Sequence, residues 1–402
     1  MDTATPASSS SPKKLEVGQR ITVDIGPVAH GGHFVARHEG AVIFVRHAIT
    51  GERAVVVITS VSSKMARADA IEILTPSPHR VQAPCKFAVP GGCGGCDFQH
   101  IEISYQRELK RQVVQEQFSR LGKIELDLDL IGVAPDDGLH WRTRMDFAIS
   151  PNGRAGLFSS RSKEITEIDK CLIAAQEMDK PELFDRPWKG DDRLEVALSS
   201  AGELNVSRGG RSISGPTQLH ETVGEYTYEI SPTSFWQAHK KAPETLMKIA
   251  IDLMALRAGD HAADLYGGVG LFTAPIAAQV GTIGRVHLIE SSHRATLDAS
   301  KIFASQKNVE IHSGRVEQKL PLIKKIDVIL LDPPRTGAGE MVVKSMVAMK
   351  PRTIVYVSCD PASLARDAHL LEKAGYHLDH LVGFDLFPMT QHVECVARFI
   401  RG

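Results

Sequence analysis

Short apolar runs alternate with helical stretches through residues 235–402, and this alternation restricts the fold more than any other feature of the sequence. Helices fill the gaps between the first five runs, which is the pattern of parallel strands joined by crossover helices. The last two runs can pair as an antiparallel hairpin. The predicted strands are Ala262–Leu265, Arg285–Ile289, Val309–His312, Ile326–Leu331, Thr353–Ser358, Leu378–Leu386 and Glu394–Phe399. The segment is therefore predicted to be an α/β domain with a Rossmann-like, doubly wound sheet.

Residues 13–75 are predicted to form a separate, small β-barrel. Four or five short β-rich runs fall within about sixty residues, and glycine-containing turns separate them. The runs are Arg20–Ile25, Gly40–Arg46, Arg53–Val61 and Ala70–Leu74. A stretch from Thr75 to Pro78 marks the end of this domain. Residues 1–12 are small and polar, so we expect a disordered tail before it.

Residues 76–234 are predicted to form a central α+β domain. It opens with a group of cysteines and continues with an amphipathic helix, Ile103–Leu121, which Gly122 ends. Five strand candidates follow: Arg142–Ile149, Gly156–Ser159, Leu194–Ser199, Leu204–Arg208 and Thr227–Ile230.

Composition restricts the compartment and the partners. No apolar run approaches the ~20 residues that a membrane span needs, and the N-terminus lacks the apolar core of a secretion signal. We therefore expect a cytoplasmic protein without a membrane partner. The net charge of −1 counts mildly against nucleic acid unless positive charge is concentrated on one face. The stretch from Arg142 to Lys163 offers such a cluster, and a solvated strand surface is its alternative interpretation.

A glycine-rich turn, Asp264 to Phe272, follows the first predicted strand of the α/β domain and opens a helix. Glycines there let a ligand approach the backbone and leave helix N–H groups free. Glu290 ends the next strand, where a carboxylate can accept both hydroxyls of a ribose. The third glycine of the dinucleotide fingerprint is missing, so S-adenosylmethionine fits better than NAD. A plain structural turn is the alternative.

Two further strands end in reactive side chains. Asp332 begins the rigid Asp-Pro-Pro loop, and Cys359 precedes a helix that starts near Ala362. The carboxyl ends of the strands share one edge of such a sheet, so both would lie beside the glycine-rich turn. A helix N-terminus lowers the pKa of a thiol, which favours a nucleophile over a core cysteine. Glu394 starts the last strand and could face the same cleft.

A thiolate, a methyl donor and a carboxylate base are sufficient to methylate carbon 5 of uracil. Addition of a thiolate to carbon 6 makes carbon 5 nucleophilic, so that carbon 5 can take the methyl group. A base must then remove the proton from carbon 5 to release the thiolate. We assign Cys359 as the nucleophile and Glu394 as the base, acting on a flipped-out nucleotide.

The remaining cysteines suggest a metal centre. Cys85, Cys93 and Cys96 cluster within a short stretch, and Cys171 lies far along the chain. Four thiolates can hold zinc or an iron–sulfur cluster. Only one short Cys-x2-Cys unit is present, and this asymmetry favours a [4Fe–4S] cluster. Unrelated thiols are the alternative, and Cys395 is expected to be a core residue.

The chain resembles the bacterial RNA 5-methyluridine methyltransferases. The matching stretches in the α/β domain are Ser234-Phe-Trp-Gln237, Asp264-Leu-Tyr-Gly-Gly-Val-Gly270, Leu331-Asp-Pro-Pro-Arg-x-Gly337, Tyr356-Val-Ser-Cys-Asp-Pro361 with Leu364-Ala-Arg-Asp367, and Gln391-His-Val-Glu394. The first domain resembles a TRAM domain, an RNA-binding barrel, through Ala29-His-Gly-Gly32. Cys93-Gly-Gly-Cys-Asp-Phe-Gln-His100 resembles the iron–sulfur segment of the subgroup that acts on 23S ribosomal RNA.

The resemblance implies a class I methyltransferase fold and a set of site residues. It implies Cys359 as nucleophile and Glu394 as base. The implied donor contacts are Gln237, Tyr266, Glu290 and Asp332, and the implied cluster ligands are Cys85, Cys93, Cys96 and Cys171. The chain departs from the family pattern in the spacing after Cys85 and at four positions: His239, Leu271, Arg315 and Asp360.

Several functions remain open from the sequence. Methylation of 23S ribosomal RNA by a monomer, without DNA as a partner, is the first expectation. The same chemistry on the T-loop uridine of transfer RNA is the alternative, although enzymes of that subgroup typically lack the barrel and the cluster. A non-catalytic RNA-binding or ribosome-assembly factor would not need the Cys359–Glu394 pair. A methyltransferase for small molecules would not need an RNA-binding barrel.

Overall fold

Five strands close into a small barrel near the N-terminus of the computed structural model, which describes residues 15–190 and 193–402. The expected tail, residues 1–12, lies outside the described residues. The strands are β1 (Arg20–Ala29), β2 (His33–His38), β3 (Ala41–Arg46), β4 (Arg53–Val61) and β5 (Ala66–Thr75). In β1, side chains are buried at alternate positions such as Ile21, Val23 and Ile25, because neighbouring side chains point to opposite faces of a strand. The predicted barrel is confirmed.

A single helix lies between the barrel and the α/β sheet. Helix α1 (Ile103–Gln117) continues into a π-helical turn, Phe118–Gly122, and so matches the predicted helix. Leu109 and Val113 pack into the barrel core, whereas Val114 and Phe118 pack into the core of the α/β sheet. The two faces of one helix therefore hold the two parts of the chain together.

The central region is built from short antiparallel strands. Its elements are β6 (Leu130–Gly132), β7 (Arg144–Ile149), β8 (Ala155–Phe158), β9 (Ile165–Glu167), α2 (Pro181–Phe184), β10 (Leu194–Leu198), β11 (Leu204–Arg208), β12 (Arg211–Ser214), β13 (Leu219–Val223) and β14 (Tyr226–Ile230). Six of the strands form one sheet in the order β12-β11-β10-β7-β8-β9, and β13 pairs with β14. All five strand candidates of this region are found: Leu204–Arg208 has the predicted ends, and the other four differ by one or two residues at one end or both.

The last part of the chain forms an eight-stranded sheet that is flanked by helices. Its elements are α3 (Ala242–Met254), β15 (His261–Leu265), α4 (Thr273–Val280), β16 (Arg285–Glu290), α5 (His293–Ile302), β17 (Val309–Ser313), α6 (Val316–Lys319), β18 (Val328–Leu331), α7 (Gly339–Ala348), β19 (Thr353–Ser358), α8 (Pro361–Lys373), β20 (Tyr376–Asp385) and β21 (Glu394–Arg401). The strand order is β17-β16-β15-β18-β19-β21-β20-β6. Strands β15 to β19 are parallel, and β21 is antiparallel to both of its neighbours. The predicted Rossmann-like sheet is confirmed.

The strand order places a ligand crevice between β15 and β18. The chain runs outward from β15 to β17 and then returns to β18 on the other side of β15. Ligands of open α/β sheets bind where the order reverses in this way, outside the carboxyl ends of the strands. All four residues of β18 are buried, because helices cover both faces of the sheet.

The sheet also takes in a strand from outside the predicted α/β segment. β6 lies at its edge and pairs in parallel with Gly383–Asp385 of β20. The pattern of residues 235–402 could not reveal this partner, because β6 has three residues and no alternation. Within the described residues, every helix is too short or too polar to cross the apolar part of a bilayer.

A buried ion pair joins α1 to the sheet. The Lys110 ammonium donates to Asp385 Oδ1 at 2.6 Å and to the carbonyl oxygen of Phe387 at 3.0 Å, and both charged side chains are almost fully buried. Arg107 Nε lies 3.6 Å from the second oxygen of Asp385. Removal of one partner from such a pair leaves a buried charge without compensation.

We expect Lys110→Ala to lower the free energy of unfolding by about 3–5 kcal/mol in urea titrations, because Asp385 loses its main partner. Arg120→Ala is the control, since Arg120 forms an exposed pair with Glu116 on the same helical segment. It should cost no more than about 0.5 kcal/mol. Equal losses in the two variants would contradict the assignment of Lys110 as the link between α1 and the sheet.

Candidate functional site

The carboxyl ends of three central strands lie side by side and carry the predicted site residues. Leu331 of β18 is aligned with Leu265 of β15 and with Tyr356 of β19. Tyr266 and Asp332 therefore follow these strands at the same level, and Cys359 lies just beyond β19. The register brings the glycine-rich turn, the Asp-Pro-Pro loop and the cysteine to one edge, as predicted.

The glycine-rich turn has a strained backbone that leaves one side open. Tyr266 has a φ of 61°, which is rare for a bulky residue and concentrates at functional sites. Gly270 has a φ of 98°, and a Cβ there would lie 2.3 Å from the Phe303 ring. Gly268 has a φ of 56°, but a Cβ there would meet no atom within 4 Å. Gly270 is thus required by packing, whereas Gly268 faces open space.

The four predicted donor contacts lie around this turn. Gln237, Tyr266 and Asp332 line one cavity together with Gly268, and Gln237 Nε2 donates to Asp332 Oδ2 at 3.2 Å. Glu290 lies on the other side of the turn, where its Oε2 accepts from the Gly268 N–H at 3.1 Å. The four residues therefore border the glycine-rich turn from two sides.

Buried carboxyl groups surround this edge of the sheet. Asp264 is fully buried, and burial together with the nearby Glu290 charge raises its pKa to about 7. Burial and the charge of Asp264 also raise the pKa of Asp332. Oδ1 of Asp264 has no hydrogen-bond partner among the described residues. A crevice edged by buried acids favours a cationic ligand, and the sulfonium of S-adenosylmethionine is such a cation.

Cys359 follows the last residue of β19, and Glu394 is the first residue of the neighbouring strand β21. Ser358 is aligned with Cys395, so the antiparallel register continued by one residue brings Cys359 beside Glu394, whose charge acts on the thiol. Cys359 lines a cavity of about 130 Å³ with Arg335, Gln391 and others, and its side chain is partly exposed. The thiol is thus accessible from a pocket next to the carboxylate.

The expectation that a helix N-terminus lowers the pKa of Cys359 is wrong. Burial, together with the carboxylates of Glu394 and Asp332, raises the pKa of the thiol to about 12. Helix α8 does begin at Pro361, but the Asp360 side chain caps it by accepting from the Ser363 N–H at 2.8 Å. The helix N-terminus therefore acts on that carboxylate, and the Arg335 guanidinium is left to lower the pKa of Cys359.

Glu394 is a buried carboxyl with a strongly raised pKa. Burial is the main cause, the charge of Asp332 adds to it, and Arg335 opposes it. Its side chain is 3% exposed. A carboxylate with a raised pKa is a stronger proton acceptor once it is ionised, which suits a base that must act on a carbon acid.

Four cysteines converge on a second cavity in the central region. Cys85, Cys93, Cys96 and Cys171 line a space of about 110 Å³ whose other walls include Phe87, Met145, Leu157 and Ile168. The Gly95 N–H donates to Cys93 Sγ at 3.4 Å. The fold thus brings the distant Cys171 to the three clustered cysteines, as their pattern suggested. Cys395, in contrast, is buried in the core of the α/β sheet, as expected.

Several site residues were not identified from the sequence. Arg335 belongs to the motif Leu331–Gly337, but only the structure shows that it lies close to both Cys359 and Glu394. His30 of the barrel forms an ion pair with Asp360 at 2.9 Å, which a sequence separation of 330 residues hides. Asp367 accepts from the Ala338 N–H at 2.7 Å and from the Tyr356 hydroxyl at 2.7 Å, and so fixes the end of the loop after Asp332.

The predicted basic stretch does not form one patch. Arg144 is largely buried and donates to Glu221 at 2.7 Å, and Arg154 lies beside Asp185. Arg161, however, lies close to Arg67 of the barrel. Burial is the larger cause that lowers the pKa of Arg67, and the charge of Arg161 is the smaller one. Positive charge is therefore gathered between the barrel and the central region rather than along one strand.

Two family models match the chain. Residues 217–401 match the tRNA (Uracil-5-)-methyltransferase model, and residues 14–71 match the TRAM domain model. The first match spans the α/β sheet with both candidate catalytic residues, and the second spans most of the barrel.

Similar proteins cover the whole length of the chain. An uncharacterized RNA methyltransferase of Streptomyces coelicolor is 42% identical, over 96% of this chain and 94% of its own. One of Corynebacterium efficiens is 34% identical, over 100% of this chain and 99% of its own. Among solved structures, the tRNA (uracil-54, C5)-methyltransferase of Pyrococcus abyssi in complex with S-adenosyl-L-homocysteine has a TM-score of 0.70 at 22% identity, and the likeness covers 94% of this chain and 99% of that one.

We expect Gly268→Ala to weaken the binding of S-adenosylmethionine by roughly tenfold or more, equivalent to about 1.4 kcal/mol, because the new Cβ projects into the ligand cavity. Gly281→Ala is the matched control, since Gly281 also has a positive φ and open space around its Cβ but lies at the end of α4. Gly268→Ala should lose about 1–2 kcal/mol of stability, and Gly281→Ala up to about 3 kcal/mol, because Gly281 has a φ of 69° and a ψ of −172°, which essentially only glycine adopts. Isothermal titration calorimetry that gives both variants wild-type affinity would contradict this location of the donor site.

Proposed function

The chain belongs to the RNA (uracil-5-)-methyltransferase family with a TRAM domain, and we propose that it methylates carbon 5 of a uridine in 23S ribosomal RNA through a covalent bond to Cys359. S-adenosylmethionine is the methyl donor of this family. The observation that carries the proposal is the register that brings Cys359 beside Glu394 near the donor cavity. That pair is what uracil chemistry requires, and a merely RNA-binding protein would have no use for it.

The first step activates the uracil ring. The Cys359 thiol gives its proton to solvent at the pocket that it lines, and its sulfur adds to carbon 6, so that electron density moves through carbon 5 to the oxygen on carbon 4. Arg335 is a cation close to this site, because it lowers the pKa values of both Cys359 and Glu394. It is placed to stabilise the thiolate and the negative charge that then develops on the ring.

The second step transfers the methyl group and releases the enzyme. Bound S-adenosylmethionine supplies an electrophilic methyl group on a sulfonium, and Gln237, Tyr266, Glu290 and Asp332 would hold it. Carbon 5 would take the methyl group as the bond between the methyl group and the donor sulfur breaks, and the donor would leave as the thioether S-adenosylhomocysteine. Glu394 then removes the proton from carbon 5. The double bond between carbons 5 and 6 then re-forms, and the bond from sulfur to carbon 6 breaks.

Positive charge beside the pocket supports RNA as the substrate. Arg46, Arg67 and Arg161 all lie near His33 of the barrel, where each of them lowers the pKa of that histidine. Arg46 forms an ion pair with Asp97. The backbone of Gln391 hydrogen-bonds to the same carboxylate, and Gln391 also lines the pocket of Cys359. Phosphates held by the more exposed Arg67 and Arg161 would place a flipped nucleotide close to Cys359.

Two RNA targets remain to be distinguished. The cysteines support 23S ribosomal RNA as the target, since the segment Cys93–His100 resembles the iron–sulfur segment of the enzymes that act on that RNA. The barrel does not separate the two targets. The likeness to the tRNA enzyme of Pyrococcus abyssi covers 94% of this chain and 99% of that one. The matched part of this chain therefore includes the barrel. Methylation of transfer RNA is therefore the second candidate function.

The cysteine cavity fits a [4Fe–4S] cluster, with Cys85, Cys93, Cys96 and Cys171 as its ligands. The supporting observation is that four thiols from two distant segments border one mostly apolar space. Such a cluster cross-links the segments through iron–thiolate bonds. No step of the methylation needs an electron, so we assign it a structural role in shaping the RNA-binding surface.

Mapping of 5-methyluridine across ribosomal and transfer RNA, in cells with and without the protein, tests the target. We expect one site in 23S ribosomal RNA to lose its methyl group without the protein and to regain it with the wild-type gene. A loss confined to the T-loop of transfer RNA would replace the ribosomal target. Unchanged methylation in every RNA would overturn the proposed activity.

Substitutions at the catalytic pair should separate the two chemical steps. We expect Cys359→Ala to abolish both the covalent RNA–protein complex and turnover while donor binding persists, because no sulfur can add to carbon 6. Glu394→Gln should retain the complex and accumulate it, because the proton on carbon 5 is no longer removed. Denaturing gels with labelled RNA report the complex.

The control for this pair is Cys395→Ala, which removes the buried thiol that follows Glu394 in the sequence. It should form and release the complex as the wild type does. Turnover retained by Cys359→Ala would eliminate the covalent mechanism.

The cluster assignment has a spectroscopic test. Protein purified without air should be brown with broad visible absorption, and Cys171→Ala should lose that absorption because the cluster loses a ligand. Cys395→Ala should keep it. A colourless wild-type protein with stoichiometric zinc would show that the four thiols hold a single zinc ion instead.

A further inference from the structure

Three metal-ligating side chains meet at the edge of the eight-stranded sheet, apart from both the methylation pocket and the four cysteines. They are His287 of β16 and Glu310 and His312 of β17. We infer that they bind a divalent transition-metal ion and that zinc suits them best. In the part of the chain that the structure describes, this is the one group of three His, Cys, Asp or Glu side chains whose donor atoms all lie within 4.8 Å of one another.

The distances between the donor atoms match a tetrahedral zinc site. His287 Nδ1 lies 3.1 Å from His312 Nε2 and 3.3 Å from Glu310 Oε2, and His312 Nε2 lies 3.9 Å from the same oxygen. Zinc binds nitrogen and oxygen at about 2.0–2.2 Å, and two ligands of a tetrahedron are then about 3.3 Å apart. The triangle therefore needs only a small adjustment at the longest edge.

The β-sheet fixes these side chains on one face. His287 is aligned with Glu310 across the parallel β16–β17 pair. His312 is two residues after Glu310, so it points to the same side of the strand. Ligands on paired strands are held more firmly than ligands on loops, which lowers the entropic cost of binding an ion.

The surrounding charges leave one carboxylate oxygen free for a metal. Arg285 Nη1 lies 2.9 Å from Oε1 of Glu310, so the other oxygen, Oε2, is the one directed at the histidines. Arg285 thus acts as an outer partner that orients a ligand, as is common around metal ions. Lys319 is a second cation near His312, and the ring of His261 lies 6.4 Å from that of His287.

The ligand types select the metal and separate this site from the cysteines. Two imidazoles and one carboxylate suit zinc and similar divalent ions, whereas iron–sulfur clusters take thiolates. Three protein ligands leave a fourth position for water. A bound ion would tie the edge strand β17 to β16, which ends at Glu290, the proposed ribose contact. The site would thereby stabilise the outer wall of the donor crevice.

Zinc titration of the whole protein, isolated with its thiol site filled, tests the inference. We expect the wild type to bind one equivalent of Zn²⁺ that His312→Ala and Glu310→Gln bind at least about tenfold more weakly. His377→Ala is the control, because His377 also pairs with a glutamate, Glu372, but lacks a third ligand. It should bind zinc as the wild type does. Identical stoichiometry and affinity in all four proteins would overturn the inference.

Cobalt distinguishes this site from the cysteines. Co²⁺ added to the same protein should give visible bands without a thiolate charge-transfer band, and His312→Ala should lose those bands. Bands that are identical in the wild type and in His312→Ala, with a thiolate charge-transfer band in both, would mean that only the cysteines bind metal, and they would overturn the proposal. Glu310 is exposed, so Glu310→Gln should fold even if the half-buried His312 tolerates alanine poorly. Equal melting temperatures without metal verify folding.

Discussion

The pairing of β18 with β15 on one side and with β19 on the other is the constraint on which the site depends. It ends β15 and β18 at one level and β19 two residues beyond it, so the residues that follow these strands share one crevice. Its cost is visible in the same place, because the buried Asp264 and Glu394 lie close to the half-buried Asp332, and all three have raised pKa values. The apolar strands that set the register also deprive these acids of water.

The barrel is joined to the catalytic sheet rather than tethered beside it. Helix α1 packs into both cores, and Lys110 reaches across to Asp385. His30 of the barrel pairs with Asp360, the residue after the proposed nucleophile, and Gly32 lies so close to Gln391 that a Cβ would be 2.5 Å from its side chain. The loop of the barrel therefore forms part of the wall around Cys359, and RNA bound to the barrel would reach the pocket directly.

Much of the fold followed from the sequence because its patterns are local. The seven strands of residues 235–402, the barrel and helix α1 all carry periodic or apolar signals of their own, and the cysteines carry a distinctive spacing. The contacts that could not be foreseen join distant segments. β6 completes a sheet far along the chain, and His30 meets Asp360. The thiol pKa was misjudged because the helix was considered without its capping carboxylate and without the neighbouring acids.

The buried acids have a consequence for how the protein meets its donor. A carboxyl group such as Asp264, whose pKa lies near 7, carries a proton in about half of the molecules at neutral pH, and a cation that settles beside it favours the loss of that proton. When a sulfonium ligand binds in the crevice near Asp264 and Asp332, a proton is then released from a carboxyl group there. Donor affinity would accordingly rise as the medium becomes more alkaline, and the heat of binding would depend on the buffer that collects the released hydrogen ions.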